Sequence, residues 1–323
     1  MRIALVHPAL AGAHGGNQTT ALRWERLLRE LGHAVERSTG WEGGDADLLV
    51  ALHARKSAAA VRRFRELRPG RPVVVALAGT DLDDLAADPG AAGAVAAADR
   101  LVALQPLAAR AVPAAARGKL RVIRQSAVPP PAAPAPAEDR FEAALLAHVR
   151  EVKDPRTVWR ATRRLPEGAR LVVRHAGAAL DPALAAEAAA ESARNARYRW
   201  LGPLPPDETA RLLASSRLLV VPSRAEGGAN VVSEAIAAGV PILATRIPGS
   251  VGLLGEDHPG LFAPGDADGL AALLARAESD PGFLAALRRR GERLRPLVDP
   301  DREREAWRDL LAELGGPGGP PAS

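Results

Sequence analysis

Glu226 and Glu234 are the two side chains whose type and spacing best suit chemistry. They flank the pair Gly227 and Gly228, where the backbone can approach a ligand closely. A helix that begins after this pair would also offer free N–H groups to an anion. Because helical side chains lean toward the N-terminus, both carboxylates can face one ligand. The pattern predicts a site for a polyhydroxylated molecule that carries phosphate.

The elements around this loop must position the two carboxylates. The apolar run 217–221 predicts a buried parallel strand, and residues 230–238 predict a helix that ends at Gly239, a natural C-terminal cap. The loop that carries Glu226 therefore follows the carboxyl end of a strand, where ligands bind in open α/β sheets. Taken alone, the spacing also suits solvated carboxylates beside a structural turn.

The residues on either side of the loop help to decide between a ligand site and a structural turn. Pro-Ser precedes it, Glu-Gly-Gly-x-Asn lies in it, and Ser-Glu-Ala-x-Ala-x-Gly-x-Pro follows it. Together these motifs resemble the donor-site signature of the family 4 retaining glycosyltransferases. The resemblance implies that Glu226 contacts the donor sugar and Glu234 the nucleotide ribose. It also implies a donor site that includes Gly227, Gly228, Asn230, Val231 and, from the segment 246–255, Ser250.

The segment 146–155 ends one predicted strand and enters a helix. The related glycosyltransferases carry an Arg and a Lys here, five positions apart, that hold the donor diphosphate. Lys153 matches the lysine, His148 stands at the arginine position, and Arg150 lies two residues further on. The resemblance leaves open whether His148 or Arg150 holds the diphosphate. A solvated lysine at a helix start is the alternative for Lys153.

The stretch from His14 to Asn17 lies between the first predicted strand and the first predicted helix. Its two glycines, Gly15 and Gly16, offer backbone N–H groups to a phosphate. The resemblance implies that these glycines approach the donor phosphate and that His14 and Asn17 approach the acceptor. A turn of purely structural role is the alternative, since turns use glycine freely.

A second basic stretch, 52–57, ends another predicted strand, and we expect Ser57 to cap the helix that follows. His53, Arg55 and Lys56 would together form a pocket for an anionic acceptor. The alternative is two basic surface side chains and a packed histidine.

The turn 76–82 resembles the His-Gly-Thr-Asp turn of these enzymes, with Ala78 at the histidine position and Thr80 in the acceptor site. Asp81 and Asp83 could suggest a metal ion, but we interpret them as structural. The resemblance implies that cations and helix N-termini stabilise the leaving diphosphate, so we expect neither a metal nor a cofactor. The sequence has no cysteine, which excludes disulfides and thiolate metal sites.

Strand-like runs alternate with helical segments along the whole chain, a pattern typical of doubly wound parallel sheets. We predict an α/β protein with one domain at 1–127, a proline-rich linker at 128–138 and a second domain at 139–300. The resemblance implies the GT-B architecture, in which two Rossmann-like domains face each other across a cleft. It also implies that a terminal helix, at about 302–314, returns to the first domain.

Composition excludes several classes of protein. A hydrophobic fraction of 47% with 25% charged residues indicates a soluble globular chain, and no apolar run of 18 residues suggests a membrane span. We see no signal peptide and expect a cytoplasmic protein. The pI of about 10.4 invites a nucleic-acid partner. However, the net charge is only +5 and aromatics are 3%, so we expect no nucleic acid.

The motifs taken together resemble the selenosugar synthases of selenoneine biosynthesis, which lie within this family. That resemblance implies transfer of a sugar from UDP-N-acetylglucosamine or UDP-glucose to selenophosphate, giving a 1-selenosugar, UDP and phosphate. His53, Arg55 and Lys56 would then hold selenophosphate, and other enzymes of selenoneine biosynthesis would be functional partners. The alternatives are an ordinary family 4 hexosyltransferase with a hydroxyl acceptor and a non-catalytic protein that binds nucleotide sugars.

Overall fold

The computed structural model describes residues 1–8, 15–82, 85, 87–129 and 135–315. Internal contacts divide the chain into two compact units. The first unit comprises Met1–Ser126, Gly227–Asn230 and Asp299–Ser323, and the second comprises Ala127–Glu226 and Val231–Val298.

The first unit contains a six-stranded, all-parallel sheet. Its strands are β1 (Arg2–Val6), β2 (Ala34–Ser38), β3 (Leu48–Leu52), β4 (Val73–Leu77), β5 (Arg100–Ala103) and β6 (Leu120–Val122). They run in the order β2-β1-β3-β4-β5-β6. Every residue of β3 and β4 is buried, as the continuous apolar runs predict for central strands.

The second unit repeats this plan with a second six-stranded parallel sheet. Its strands are β7 (Phe141–Leu146), β8 (Leu171–Ala176), β9 (Tyr198–Gly202), β10 (Leu218–Val221), β11 (Ile242–Thr245) and β12 (Leu261–Phe262). Their order is β12-β11-β10-β7-β8-β9, so the direction of winding reverses between β7 and β10. The loops after these two strands lie at such a switch point, where open sheets bind ligands.

Helices connect the strands. In chain order they are α1 (Gly16–Glu30), α2 (Ala58–Leu67), α3 (Pro89–Ala97), α4 (Pro155–Arg163), α5 (Pro182–Arg194), α6 (Pro206–Ala214), α7 (Asn230–Ala238), α8 (Pro248–Leu254), α9 (Ala267–Ser279), α10 (Pro281–Leu294) and α11 (Pro300–Gly315). Within the described ranges, no helix is both long and apolar enough to cross a membrane.

Aspartate caps start several of these helices. The side chains of Asp88, Asp154, Asp181, Asp266 and Asp280 each accept a hydrogen bond from a backbone N–H three residues on. Four of the five are followed by proline, whose fixed φ suits the first helical position. The chain therefore marks these helix starts in its own sequence.

Helix α11 completes the core of the first unit. Trp307 on α11 and Trp24 on α1 are fully buried, and their rings meet edge-to-face with centroids 4.7 Å apart. Both belong to a cluster that covers one face of the first sheet, while Phe64 and its neighbours cover the other. The terminal helix thus shields a sheet face that would otherwise be exposed.

The predicted alternation of strands and helices is confirmed, with one omission. The sequence shows no clear strand at Ala34–Ser38, yet this segment forms β2 at the edge of the first sheet. Only Val35 in it is buried. An edge strand with one apolar contact lacks the run of apolar residues by which strands are recognised.

Candidate active site

Lys153 and Glu226 form an ion pair in the second unit. Lys153 Nζ donates to Glu226 Oε1, and Ser223 Oγ donates to the same oxygen at 2.7 Å. The side chains of Lys153 and Glu226 are 19% and 9% exposed, so both charges are largely buried but still accessible to solvent. The structure therefore brings together the two residues for which the resemblance implies contacts to the diphosphate and the sugar.

The loop between β10 and α7 holds Glu226 in place by tight packing. A Cβ added to Gly249, in the first turn of α8, would lie 2.1 Å from the carbonyl oxygen of Glu226. Only glycine allows the two segments to approach so closely. Thr245 Oγ1 also donates to the carbonyl oxygen of Ser223. Ser250 is buried beside Gly249.

His148 and Arg150 differ in how they can contact a diphosphate. The N–H of Ala178 donates to His148 Nδ1 at 3.2 Å, so this nitrogen is engaged as an acceptor and is not available to donate to a phosphate. Arg150 keeps its charge, and its Nε is buried without a hydrogen-bond partner among the described residues. This geometry favours Arg150 over His148 as the second cation beside Lys153.

A buried histidine supports the strand end that leads to His148. His175 is fully buried, with Nδ1 2.6 Å from the hydroxyl of Tyr198 and Nε2 2.8 Å from the carbonyl oxygen of Ala147. Burial lowers the pKa of His175 to about 4, against the raising effect of the hydrogen bond to Ala147. The ring is therefore neutral, with Nε2 donating to Ala147 and Nδ1 accepting from Tyr198.

Helix α7 places Glu234 one turn after Asn230, on a partly exposed position. The helix ends where the sequence predicts, because Gly239 adopts a φ of 71° and Val240 N–H reaches back to the carbonyl oxygen of Ala235 at 2.9 Å. Val231, next in sequence to Asn230, is also partly exposed.

Gly227 and Gly228 lie in the first unit and are packed against its strand ends. A Cβ at Gly227 would lie 2.6 Å from the nitrogen of Gly79, and one at Gly228 would lie 2.5 Å from the Cβ of Leu104. The sequence suggested that these glycines leave room for a ligand. In the structure, their small size is required by protein packing.

Asn230 uses its side-chain amide within the first unit. Its Nδ2 donates to the carbonyl oxygen of Gly16 at 3.1 Å and to Thr20 Oγ1 at 3.2 Å. Its Oδ1 accepts from Arg23 at 3.0 Å, and Arg23 Nε also donates to the buried Glu303 at 2.9 Å. Protein groups therefore occupy both ends of the amide that the resemblance assigned to the donor.

Among the residues that the structure describes, the N-terminus of α1 shows no side-chain cap. Gly15 is the N-cap residue, the helix starts at Gly16, and Asn17 in the first turn is partly exposed. The first N–H groups of a helix can donate to an anion, and for Gly15 and Gly16 this role stays a prediction. His14 lies outside the described residues.

His53 is buried against a carboxylate. The residue is 3% exposed, has a φ of 72°, and its Nδ1 contacts Oδ1 of Asp81. The other oxygen of Asp81 accepts from the N–H groups of Ala54 at 2.7 Å and Ala78 at 3.2 Å. Asp81 thereby joins the ends of β3 and β4. Within the residues that the structure describes, no cluster of His, Cys, Asp or Glu could hold a metal ion.

Arg55 and Lys56 are exposed whereas His53 is buried, so the three side chains do not share one environment. The prediction that the Ser57 side chain caps α2 is wrong, because Ser57 makes no side-chain hydrogen bond to the helix start. Ser57 is the N-cap residue of α2, but its hydroxyl donates to the carbonyl oxygen of Leu52, which precedes it in the chain.

Thr80 lies in the turn Gly79–Leu82. The side chain of Thr80 and the whole of Asp83 lie outside the described part of the chain.

Two residues near the ion pair escaped the sequence analysis. Asp154 caps α4 and forms an ion pair with Arg224, which lies two positions before Glu226. The dipeptide Asp154-Pro155 was a recognisable signal of a helix start. Nothing in the sequence showed that Arg224 reaches Asp154, because their contact depends on the pairing of β7 with β10.

Comparisons with known proteins agree with this architecture. The family model "Glycosyl transferases group 1" matches residues 131–294, about half of the chain. Anabaena HepE, solved in complex with UDP-glucose, superposes with a TM-score of 0.81 at 16% identity and covers 97% of this chain and 100% of its own. A sucrose-phosphate synthase from Thermosynechococcus elongatus gives 0.77 at 17% identity, over 97% and 98%.

A glycosyltransferase from Rickettsia africae gives a TM-score of 0.73 at 14% identity, over 97% of this chain and 98% of its own. At these identities the likeness shows a shared fold. Curated protein sequences contain no significant match to the chain.

Proposed function

The chain belongs to the glycosyl transferases group 1 family, and on that premise we propose that it transfers a sugar from a UDP-sugar to selenophosphate. It is a glycosyltransferase, and its GT-B fold is as predicted. In the proposed reaction the bond from the anomeric carbon to the diphosphate oxygen breaks and a carbon–selenium bond forms. Water then takes the phosphoryl group from selenium. The products are a 1-selenosugar, UDP and phosphate, and the selenosugar would pass to other enzymes of selenoneine biosynthesis.

The Lys153–Glu226 pair is the observation that carries the donor half of this proposal. Lys153 would neutralise charge that develops on the departing diphosphate, where a fixed cation in a sheltered site stabilises the transition state. Glu226 would accept hydrogen bonds from sugar hydroxyls, which are strong when the acceptor is charged. HepE was solved with UDP and with UDP-glucose, which supports a UDP-sugar as donor here.

Arg150 and Glu234 complete the proposed donor contacts. Arg150 would hold the diphosphate together with Lys153, since His148 is engaged as an acceptor by Ala178. Glu234 would bind the ribose hydroxyls. UDP-N-acetylglucosamine and UDP-glucose are the donors we propose to test first.

Exposed cations of the first unit support an anionic acceptor. Arg55 and Lys56 follow β3, and α1, whose N-cap residue is Gly15, is the first helix after β1. Selenophosphate is a small anion with a soft, already negative selenium. It needs no strong base to attack, so the residues mainly align it with the anomeric carbon.

We also propose that the reaction needs no metal ion. Lys153 and Arg150 would supply the positive charge that a divalent cation supplies elsewhere. UDP release should therefore persist in EDTA. Loss of turnover in EDTA that magnesium restores would contradict this part of the proposal.

A hexosyltransferase with a hydroxyl acceptor is the second candidate, and one observation favours it. His53 contacts Asp81, and an imidazole oriented by a carboxylate can take a proton from a hydroxyl. The two candidates share the donor site and differ only in the acceptor.

One assay separates them. UDP release would be measured from UDP-N-acetylglucosamine and UDP-glucose with and without selenophosphate, with the product identified by its selenium isotope pattern. We expect release that depends on selenophosphate and a product that contains selenium. Release that requires a sugar or lipid alcohol instead would favour the hydroxyl acceptor. A Glu226→Gln variant serves as the control for background hydrolysis.

A further inference from the structure

Asp154 and Arg224 join the two loops that carry the ion pair. Arg224 N–H donates to the carbonyl oxygen of Val152 at 2.8 Å, and its guanidinium lies 2.9 Å from Oδ2 of Asp154. Val152 and Asp154 are the immediate neighbours of Lys153. Arg224 therefore holds the chain on both sides of Lys153, from a position two residues before Glu226.

The backbone of Asp154 is held in an unfavourable conformation. Its φ of 43° lies in the left-handed region, and His53 is the other non-glycine residue with positive φ among the described residues. Such a conformation persists where surrounding contacts enforce it. Asp154 is 4% exposed, caps α4 through the N–H of Thr157, and accepts from the Thr157 hydroxyl at 2.9 Å.

These contacts give the two oxygens of Asp154 different partners. Oδ1 accepts the N–H of Thr157 at 3.3 Å, and Oδ2 receives the Thr157 hydroxyl and the guanidinium of Arg224. The cap fixes the start of α4, whereas the contact to Arg224 reaches the loop before α7. One carboxylate thus links the position of Lys153 to the position of Glu226.

We propose that Asp154 and Arg224 are positioning residues that set the distance between Lys153 and Glu226. This inference rests on the proposed function, in which Lys153 holds the diphosphate and Glu226 the sugar. Both ends of the donor must be held at once while the bond between them breaks. A displacement of about 1 Å in such a site can lower the rate about a hundredfold.

Substitutions can separate the ion pair from the helix cap. Asp154→Asn keeps an oxygen for the Thr157 cap and tolerates the left-handed backbone, but it loses the charge that Arg224 meets. Arg224→Ala removes the same contact from the other side. We expect each variant to lower kcat roughly tenfold with a donor KM within about threefold of wild type. The double variant should have a kcat at most about twofold lower than that of either single variant. Arg224→Lys should recover part of the kcat that Arg224→Ala loses.

Arg164→Ala is the matched control. Arg164 also makes an ion pair at 2.8 Å within the second unit, with the exposed Asp268, and its side chain is 45% exposed, compared with 50% for Arg224. We expect its kcat to equal that of wild type.

Hydrogen exchange measured without substrate provides the second readout. Amides of 152–154 and 223–226 should exchange faster in Asp154→Asn and Arg224→Ala than in wild type, while the rest of the second unit should not change. If Arg224 instead bound the donor directly, Arg224→Ala would raise the donor KM and Asp154→Asn would leave kcat unchanged, which would overturn the proposal. Faster exchange with unchanged kcat would overturn it as well.

Failure of the proposed function would look different. Wild-type protein that releases UDP from no UDP-sugar would overturn that function. The exchange rates would still confirm or overturn the link between the two loops, because they require no substrate.

Discussion

At the scale of the residue, the role that we propose for a charged side chain depends on whether another side chain of the protein pairs with it. Glu226 is paired with Lys153, and His53 is paired with Asp81. Arg55 and Lys56 are exposed. The Lys153–Glu226 pair is partly exposed and would act on a bound sugar or diphosphate, while exposed cations attract anions from solution.

The two carboxylates should affect different steps. We expect Glu234→Ala to weaken UDP binding and Glu226→Ala to lower turnover, because one lies on α7 and the other in the loop beside Lys153. A hydrogen bond to a charged group contributes roughly 1.5–3 kcal/mol, so each loss should be about tenfold to a hundredfold. Calorimetry with UDP measures the first and steady-state kinetics the second. Unchanged UDP affinity in Glu234→Ala would contradict its assignment to the ribose.

The exposed cations should act on the acceptor alone. Arg55→Ala or Lys56→Ala should raise the apparent KM for selenophosphate at least about tenfold, because a charge-assisted contact contributes roughly 1.5–3 kcal/mol. UDP affinity should stay within about twofold, since both residues belong to the first unit. Selenophosphate titrations at saturating UDP-sugar provide the measurement. Curves that overlay wild type for both variants would place the acceptor elsewhere, with the start of α1 the next candidate.

The types of the site residues could be read from the sequence, but their partners could not. Sequence motifs singled out Glu226 and Lys153 as candidates, and their roles stay predictions. Nothing local indicated that the two would meet, because they lie 73 positions apart. The same holds for His53, which looked like one member of a basic cluster and is instead packed against Asp81.

At the scale of the element, prediction succeeded where the chain carries its own signals. Helix α7 begins at Asn230 and ends at Ala238, as the apolar pattern and Gly239 predicted. The edge strand β2 was missed, since only Val35 in it is buried. Elements that are specified by their own apolar pattern and caps can be read from sequence, whereas elements completed by neighbours cannot.

Close packing of α8 against the Glu226 loop leads to a prediction at this scale. Gly249→Ala would place a Cβ 2.1 Å from the carbonyl oxygen of Glu226, so the backbone must move. Overpacking typically costs about 1–3 kcal/mol. We expect a lower free energy of unfolding together with a lower kcat, because the shift displaces Glu226 itself. Urea unfolding and kinetics on the same samples measure both.

Gly291→Ala is the control for this substitution. Gly291 lies inside α10, and an added Cβ there would meet no atom within 4 Å. Replacing a helical glycine by alanine should stabilise the protein by about 0.5–1 kcal/mol and leave kcat unchanged. A Gly249→Ala variant that behaves like Gly291→Ala would show that the loop can yield without affecting Glu226.

At the scale of the whole molecule, two buried histidines make the second unit sensitive to acid. Burial lowers the pKa of His175 and of His258 to about 4, from an ordinary value of 6.5. The folded protein keeps both rings neutral, while the unfolded chain binds protons below 6.5. Their contribution to stability is therefore complete above pH 6.5 and is lost as the pH falls toward 4. Carboxylates held by arginines, such as Glu313 with its pKa near 2, lose their contribution only at lower pH.

Acidification from pH 7.5 to 5.0 should therefore lower the free energy of unfolding of the second unit. Each histidine should contribute about 2 kcal/mol of that loss, which follows from a pKa of about 4 in the folded state. Native-state hydrogen exchange of the amides in β7 and β8 reports this unit without assuming that both units unfold together. In His258→Asn, where the amide oxygen can still accept the N–H of Gly260, about half of the pH dependence should disappear. An equal dependence in wild type and variant would mean that His258 is protonated in the folded protein, and its buried hydrogen bond to Gly260 would have to open on acidification.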